Sequence, residues 1–144
     1  MKSFFEVKTT CLKQTENGLL KKATETFLID AMSFTEAEAR AAQEDADNLQ
    51  DFTVQAMKRS NIREVVDQGV SELWHKVKVA YSSIDDESEK EKKVTTYLLV
   101  NSETVEQAND LAKGHLKDML VPYEIPAITL TPIVDVMEYS PVKA

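Results

Sequence analysis

The chain has 144 residues, of which 42% are hydrophobic and 29% charged, and this composition suits a folded globular protein and argues against disorder. Its 25 acidic and 17 basic residues give a net charge of −8, which disfavours direct binding to nucleic acid or to an anionic membrane surface. The single cysteine, Cys11, excludes an internal disulfide and a cysteine-based zinc cluster, and with no long apolar run we expect a cytoplasmic protein.

Segments of the first half recur in the same order in the second half. The matching pairs are residues 4–8 with 74–78, 26–29 with 96–99, 33–39 with 102–108, 54–57 with 125–128 and 62–65 with 133–136. The spacing is 70 residues for the first two pairs, 69 for the third and 71 for the last two. The unbroken order predicts an α+β fold made by tandem duplication of a ββαβ unit, with mainly antiparallel sheet and one helix per repeat.

The first repeat opens with a predicted hairpin. Phe5, Val7 and Thr9 alternate with polar residues, which is the period of a half-buried strand. Asn17 and Gly18 then predict a tight turn, because both residue types tolerate a positive φ, and a second strand follows over residues 22–30.

The second repeat opens in the same way, with strands over residues 74–81 and 94–100. Its turn, residues 84–93, lacks the Asn-Gly pair and is rich in charge, so we expect it to be longer. Trp74 corresponds to the aromatic Phe4 of the first repeat, and we expect the large ring to be buried.

Matching start signals predict the two helices. Thr35 with Glu38, and Thr104 with Gln107, fit a capping box, in which the threonine hydroxyl accepts a backbone N–H and the later side chain reaches back. Apolar residues then recur at three and four positions, which predicts the buried stripes Ala39, Ala42, Ala46 and Leu49, and Val105, Ala108, Ala112, Leu116 and Met119.

A last strand closes each repeat, over residues 52–57, continuing past Ile62, and over 125–137. Pro122, Pro126 and Pro132 predict that the second of these strands is an edge strand, bulged or broken, because proline cannot donate to a sheet ladder. With residues 67–71 as a linker, the predicted repeats are 1–67 and 71–144. They should pack together as one domain, because each alone has a thin core.

The sequence contains no recognisable motif for dinucleotide binding, phosphate binding or hydrolysis. We expect His75 on the outer face of its strand, His115 near a helix end and Cys11 as a small core residue. The acids are expected to form solvated faces, namely Glu36, Glu38, Glu44, Asp45 and Asp47 on the first helix and those of residues 85–91 in the second turn. We therefore predict no catalytic residue, no metal site and no cofactor.

One compact basic segment interrupts this acidic chain, and we call residues 58–63 the basic segment. Its Lys58, Arg59, Asn61 and Arg63 could bind a phosphate or carboxylate through charge-assisted hydrogen bonds. The alternative is a charged strand edge that discourages pairing with other strands. The corresponding part of the second repeat, residues 129–134, carries no charge, so any site here belongs to one repeat alone.

Residues 5–8, 16–18, 27–31 and 33–40, with Lys58, Arg59 and Asn61 and the Trp74 opening of the second half, carry a resemblance to a known family. They resemble small uncharacterised proteins, labelled as a domain of unknown function, from Bacteroides-type bacteria, their phages and mobile elements. The resemblance covers nearly the whole chain. It implies an origin in such bacteria, their phages or their mobile elements, and it brings no established activity.

Three function hypotheses follow. The favoured one is a non-enzymatic binding or interaction protein, acting through a protein partner or by self-association as a homo-oligomer. The second is a binder of a small anionic ligand or nucleotide at the basic segment. The third is a metal-dependent enzyme built on the helix carboxylates.

Overall fold

The computed structural model describes residues 3–45, 50–84, 87 and 89–138, which form an α+β structure of eight strands and two helices. The elements are, in chain order, β1 (Ser3–Gln14), β2 (Leu20–Ala31), α1 (Phe34–Asp45), β3 (Gln50–Arg59), β4 (Ile62–Val66), β5 (Trp74–Ile84), β6 (Glu91–Asn101), α2 (Val105–His115), β7 (Tyr123–Leu130) and β8 (Ile133–Met137). They belong to two compact units: unit 1 comprises residues 1–60 and 132–144, and unit 2 comprises residues 61–131.

Unit 1 is a four-stranded mixed sheet packed against α1. The strand order is β3-β1-β2-β8, with β1 antiparallel to both β2 and β3, and β8 parallel to β2. The predicted alternation along β1 places Phe5 and Val7 on the face that contacts the helix. There they form a buried core with Ala37 and Ala41, whose small side chains let the helix lie close to the sheet.

Unit 2 is built in the same way. Its strand order, read from the corresponding edge, is β7-β5-β6-β4, with β5 antiparallel to β6 and β7, and β4 parallel to β6. Val77 and Val79 of β5 pack with Val100 of β6 and with Ala108 and Ala112 of α2. In each sheet, therefore, two of the three strand pairings among the described residues are antiparallel.

The last strand of each sequence half lies in the unit built mainly from the other half. β4 follows β3 after the connector of Ser60 and Asn61, yet it pairs with β6 in unit 2. β8 follows β7 after Thr131 and Pro132, yet it pairs with β2 in unit 1. The compact units thus differ from the predicted division at 1–67 and 71–144, because alternation predicts a strand and its two faces but not its partner.

The two hairpin turns agree with their predicted difference in length. Residues 15–19 connect β1 to β2, with Gly18 at φ +77° and its N–H donating to the carbonyl of Thr15 at 2.9 Å. Residues 85–90 connect β5 to β6, so the second turn is longer by one residue. Asp85, Asp86 and Ser88 lie outside the described residues.

The start of α2 is confirmed, whereas the predicted start of α1 is wrong. Thr104 caps α2, and its hydroxyl accepts the backbone N–H of Gln107 at 3.1 Å. In α1 the capping oxygen belongs to Ser33, which accepts the N–H of Glu36 at 3.1 Å. Thr35 lies inside the helix, because two overlapping capping-box patterns occur here and the earlier one is used.

The helix stripes follow from these starts. In α1 the buried positions are Ala37 and Ala41, and the predicted Ala39 is exposed. In α2 the predicted Ala108 and Ala112 are fully buried, although Val105 is exposed. The predicted Ala46 and Leu49 lie outside the described residues.

Two further expectations about the second half, for its last strand and for Trp74, are confirmed. The proline-rich last strand is broken into β7 and β8, with Pro126 in β7 at the sheet edge and Pro132 in the connector. Trp74 is 4% exposed, and Cys11 is also buried. No helix among the described residues is both long enough and apolar enough to span a membrane.

Candidate functional site

A cavity of about 460 Å³ lies on unit 1, and we call it the Lys58 cavity. It is lined by Glu6 and Lys8 of β1, Thr24 and Thr26 of β2, Ala56, Met57 and Lys58 of β3, and Pro132, the residue before β8. The volume falls in the range of about 300–1,000 Å³ that is typical of small-molecule sites.

Strand register explains how these side chains meet. Glu6 and Lys8 alternate with the core residues Phe5 and Val7, so they project from the sheet face opposite α1. Lys8 lies between Ala56 of β3 and Thr26 of β2 in one cross-strand row. Because its two row neighbours are small, space remains above the sheet.

The electrostatics of the cavity combine two lysines with one carboxylate. Lys58 lies directly opposite Glu6 and forms an ion pair with it, with a distance of 3.1 Å from Nζ to Oε2. The Lys58 side chain is 76% exposed, so this ion pair is weak. Lys8 is exposed and has no ion-pair partner among the residues that the structure describes.

Arg59 projects from the other face of the sheet, because neighbouring residues on a strand alternate. Its guanidinium carbon lies 5.1 Å from the ring centroid of Phe5 and 6.0 Å from that of Phe34. The two rings contact each other edge to face at 4.9 Å. Arg59 therefore covers the aromatic end of the unit 1 core and does not line the Lys58 cavity.

Asn61 and Arg63, the other predicted site residues, belong to unit 2. Both are exposed, Asn61 in the connector before β4 and Arg63 within β4. Of the four residues of the basic segment proposed as a site, the structure thus places Lys58 in the cavity, and it places Arg59 on the opposite sheet face.

Both histidines make contacts within unit 2. The expectation that His75 lies on an outer face is wrong: it is 3% exposed, and its Nδ1 lies 2.9 Å from the hydroxyl of Ser102. His115 ends α2, as expected, and its Nε2 contacts the carboxylate of Glu64. Each ring therefore contacts a side chain from another part of unit 2.

Several of the acids expected to form solvated faces lie among the described residues. The described residues contain no group of three or more His, Cys, Asp or Glu side chains that could hold a metal ion. Glu38, Glu87 and Glu89 are exposed, and Glu36 forms an ion pair with Arg40 along α1. Asp47 lies outside the described residues.

The sequence reasoning missed Asn101, a buried side chain that fixes the linker. Its Oδ1 accepts the N–H groups of Val70 and Ser71 at 2.9 and 3.0 Å, and its Nδ2 donates to the carbonyls of Ser71 and Leu73. The side chain is 2% exposed and uses all its hydrogen-bonding directions. The sequence signal that could have revealed this residue is an asparagine at the end of an apolar strand.

Lys8, Thr24 and Thr26 were also missed as candidate site residues. The Asn-Gly turn predicts the hairpin but not the turn length that sets the pairing of its strands. The observed register places Lys8 opposite Thr26 and Thr10 opposite Thr24. A register derived from the sequence would have revealed a lysine beside small polar residues.

Comparison with known proteins gives a family without an assigned activity. No curated protein matches the chain. No solved structure matches it either. The model of a domain of unknown function, DUF4494, matches residues 3–139, and the chain therefore belongs to this family.

Proposed function

We propose that the protein is a non-enzymatic binding protein and that unit 1 binds a small anionic ligand in the Lys58 cavity. The observation that carries this proposal is the placement of Lys8 and Lys58, together with the hydroxyls of Thr24 and Thr26, around one cavity of about 460 Å³. Ammonium and hydroxyl groups donate hydrogen bonds to phosphate or carboxylate oxygens.

The ion pair between Lys58 and Glu6 is compatible with this role. An exposed ion pair contributes only about 0–1 kcal/mol, so an anion that contacts Lys58 can replace it at little cost. Lys8 offers a second ammonium group across the same sheet face. The net lining charge of two lysines and one glutamate favours an anion over a cation.

The acidic chain as a whole narrows the class of ligand. A net charge of −8 repels long polyanions, whereas a small anion needs only the local field of the two lysines. The proposed ligand is therefore a compact carboxylate or phosphate compound, such as a mononucleotide. RNA and DNA are excluded from this proposal.

Ligand binding can be tested by thermal shift with inorganic phosphate, citrate and AMP, followed by titration calorimetry. A ligand whose free concentration is 100 times its Kd raises the free energy of unfolding by about 2.7 kcal/mol. Lys8→Gln and Lys58→Gln should each weaken binding of the anion that stabilises the wild type, because each removes a charged donor. Lys113→Gln, an exposed lysine of α2, is the matched control and should bind like the wild type.

Two results would reject this function. One is the lack of stabilisation by any of the three anions. The other is unchanged binding by the double variant Lys8→Gln/Lys58→Gln, which would place the ligand elsewhere.

We also propose that the two halves arose by tandem duplication, and strand register supports this. Val7 pairs with Phe27, and Val77 pairs with Leu98, so β2 and β6 correspond at a spacing of 71 residues and not 70. The helix caps Ser33 and Thr104 have the same spacing of 71. The strands β1 and β5 correspond at 70, and the extra residue of the second hairpin turn accounts for the change.

The exchanged strands support the duplication further. Ile133 pairs with Thr26 and Ile62 pairs with Tyr97, and each of these parallel ladders has its irregularity immediately after that pair. An experimental structure tests the proposal: β1-β2-α1-β3 and β5-β6-α2-β7 should superpose at these spacings. Different helix starts or a different register in the two halves would contradict it.

A further inference from the structure

The position that corresponds to Thr26 in unit 2 is occupied by Tyr97. In unit 1, Lys8 of β1 lies between Ala56 and Thr26. In unit 2, Lys78 of β5 lies between Ala127 and Tyr97. Both cross-strand rows therefore begin with an alanine followed by a lysine. The third residue of the row is small in unit 1 and aromatic in unit 2.

The aromatic ring changes what the row can hold. Tyr97 is half-buried, and the ammonium of Lys76 lies 4.6 Å from its ring centroid. This is the geometry of a cation–π contact, which holds the lysine over the ring. In unit 1 the corresponding residues are Glu6 and Thr26, and the space above them is part of the Lys58 cavity.

We infer that the residue at this position decides which unit binds an anion: Thr26 keeps the site in unit 1 open, and Tyr97 closes the corresponding place in unit 2. The inference rests on the proposed function and names the residue that restricts it to one unit. The ligand class is the same small phosphate or carboxylate anion.

Unit 2 carries polar side chains around Tyr97 that could bind an anion if the ring were removed. Lys78 shares the cross-strand row of Tyr97, and the adjacent rows of the same sheet face carry Lys76, Thr95 and Thr129. In unit 1 the corresponding residues are Lys8, Glu6, Thr24 and Lys58. Two lysines and two hydroxyls are thus present, and no carboxylate stands where unit 1 has Glu6. Removing the ring should therefore create an anion site and not merely an apolar gap.

Calorimetric titration with inorganic phosphate tests this on the full chain. The wild type should bind one phosphate and Tyr97→Thr two, whereas Thr26→Tyr should bind phosphate at least about tenfold more weakly than the wild type. The double variant Thr26→Tyr/Tyr97→Thr should bind one phosphate, now abolished by Lys78→Gln. Thr95→Tyr, which adds a ring on the same face of unit 2, should leave the unit 1 site unchanged.

The outcomes separate this inference from the proposed function. If neither the wild type nor Tyr97→Thr binds phosphate, citrate or AMP, both are overturned. If the wild type binds phosphate and a folded Thr26→Tyr binds it equally well, the inference falls and the proposed function stands. Should Thr26→Tyr fail to fold, the second site expected in Tyr97→Thr decides, and its absence overturns the inference.

Discussion

Ser33 and Thr104 cap the two helices in the same way, each accepting the backbone N–H of the residue three positions later through its side-chain oxygen. Both acceptor distances are 3.1 Å, and both caps are exposed to solvent. A capping hydroxyl satisfies one of the helix N–H groups that have no partner within the helix.

The first prediction contrasts the cap with the threonine that follows it. Ser33→Ala should lower the free energy of unfolding by about 1 kcal/mol, the usual loss for a helix cap. Thr35→Ala should change it by no more than about 0.5 kcal/mol, because Thr35 is an exposed residue inside the helix. Urea unfolding followed by circular dichroism measures both. A larger loss for Thr35→Ala than for Ser33→Ala would place the helix start where the later capping pattern predicts it.

This comparison shows which part of the helix could be predicted. The sequence predicts that a helix occurs here but not where it begins, because Ser33 with Glu36 and Thr35 with Glu38 form two overlapping cap patterns. The later pattern predicts a buried stripe that begins with Ala39 and Ala42, whereas the buried residues are Ala37 and Ala41. A consistent spacing of 71 residues from Thr104 would have selected Ser33.

The strand exchange could not be predicted in the same way. Ile62 opens β4 and Ile133 opens β8, and both are buried. The two short strands are alike in sequence, so their residues do not state which of them pairs with β2 and which with β6. The candidate site depended on the same information, because Lys8 becomes a site residue only when β1, β2 and β3 are in register.

The second prediction concerns Asn101. Asn101→Ala should lower the free energy of unfolding by about 2 kcal/mol, because linker N–H and carbonyl groups lose their partners and water replaces them only in part. Asn61→Ala, at an exposed connector position, is the control and should be nearly neutral. Hydrogen exchange at the N–H groups of Val70 and Ser71 should accelerate in Asn101→Ala. Unchanged exchange would mean that the linker is held by other contacts.

The third prediction concerns the anchoring of β4 in unit 2. Ile62 is 4% exposed and pairs with Tyr97, whereas the next residue, Arg63, is exposed. Ile62→Ala should cost about 2–5 kcal/mol through lost burial and the cavity that remains. Arg63→Ala should stay within about 0.5 kcal/mol. Urea unfolding followed by the fluorescence of the single tryptophan, Trp74, reports on unit 2 directly, and equal midpoints for the two variants would refute a docked β4.

The last prediction separates the compact units from the sequence repeats. Unit 2 is one continuous stretch, residues 61–131, and contains all four strands of its sheet, from β4 to β7. The second sequence repeat, residues 71–144, lacks β4 and carries β8, whose pairing partner β2 is absent from it. A fragment of residues 61–131 should therefore be the more stable of the two, although a chain of this size has a marginal core.

Fluorescence of Trp74 distinguishes the two fragments, because the ring is 4% exposed in the native chain. In the 61–131 fragment its emission should lie at shorter wavelength than in the unfolded chain, and it should shift in one cooperative urea transition. In the 71–144 fragment the β6 edge has lost its parallel partner, so the transition should fall at lower urea or disappear. Adding Ile62→Ala to the 61–131 fragment should abolish its advantage, because Ile62 is the buried residue that opens β4. If the 71–144 fragment is equally stable, β8 can replace β4 beside β6, and the exchange of last strands is not required for folding.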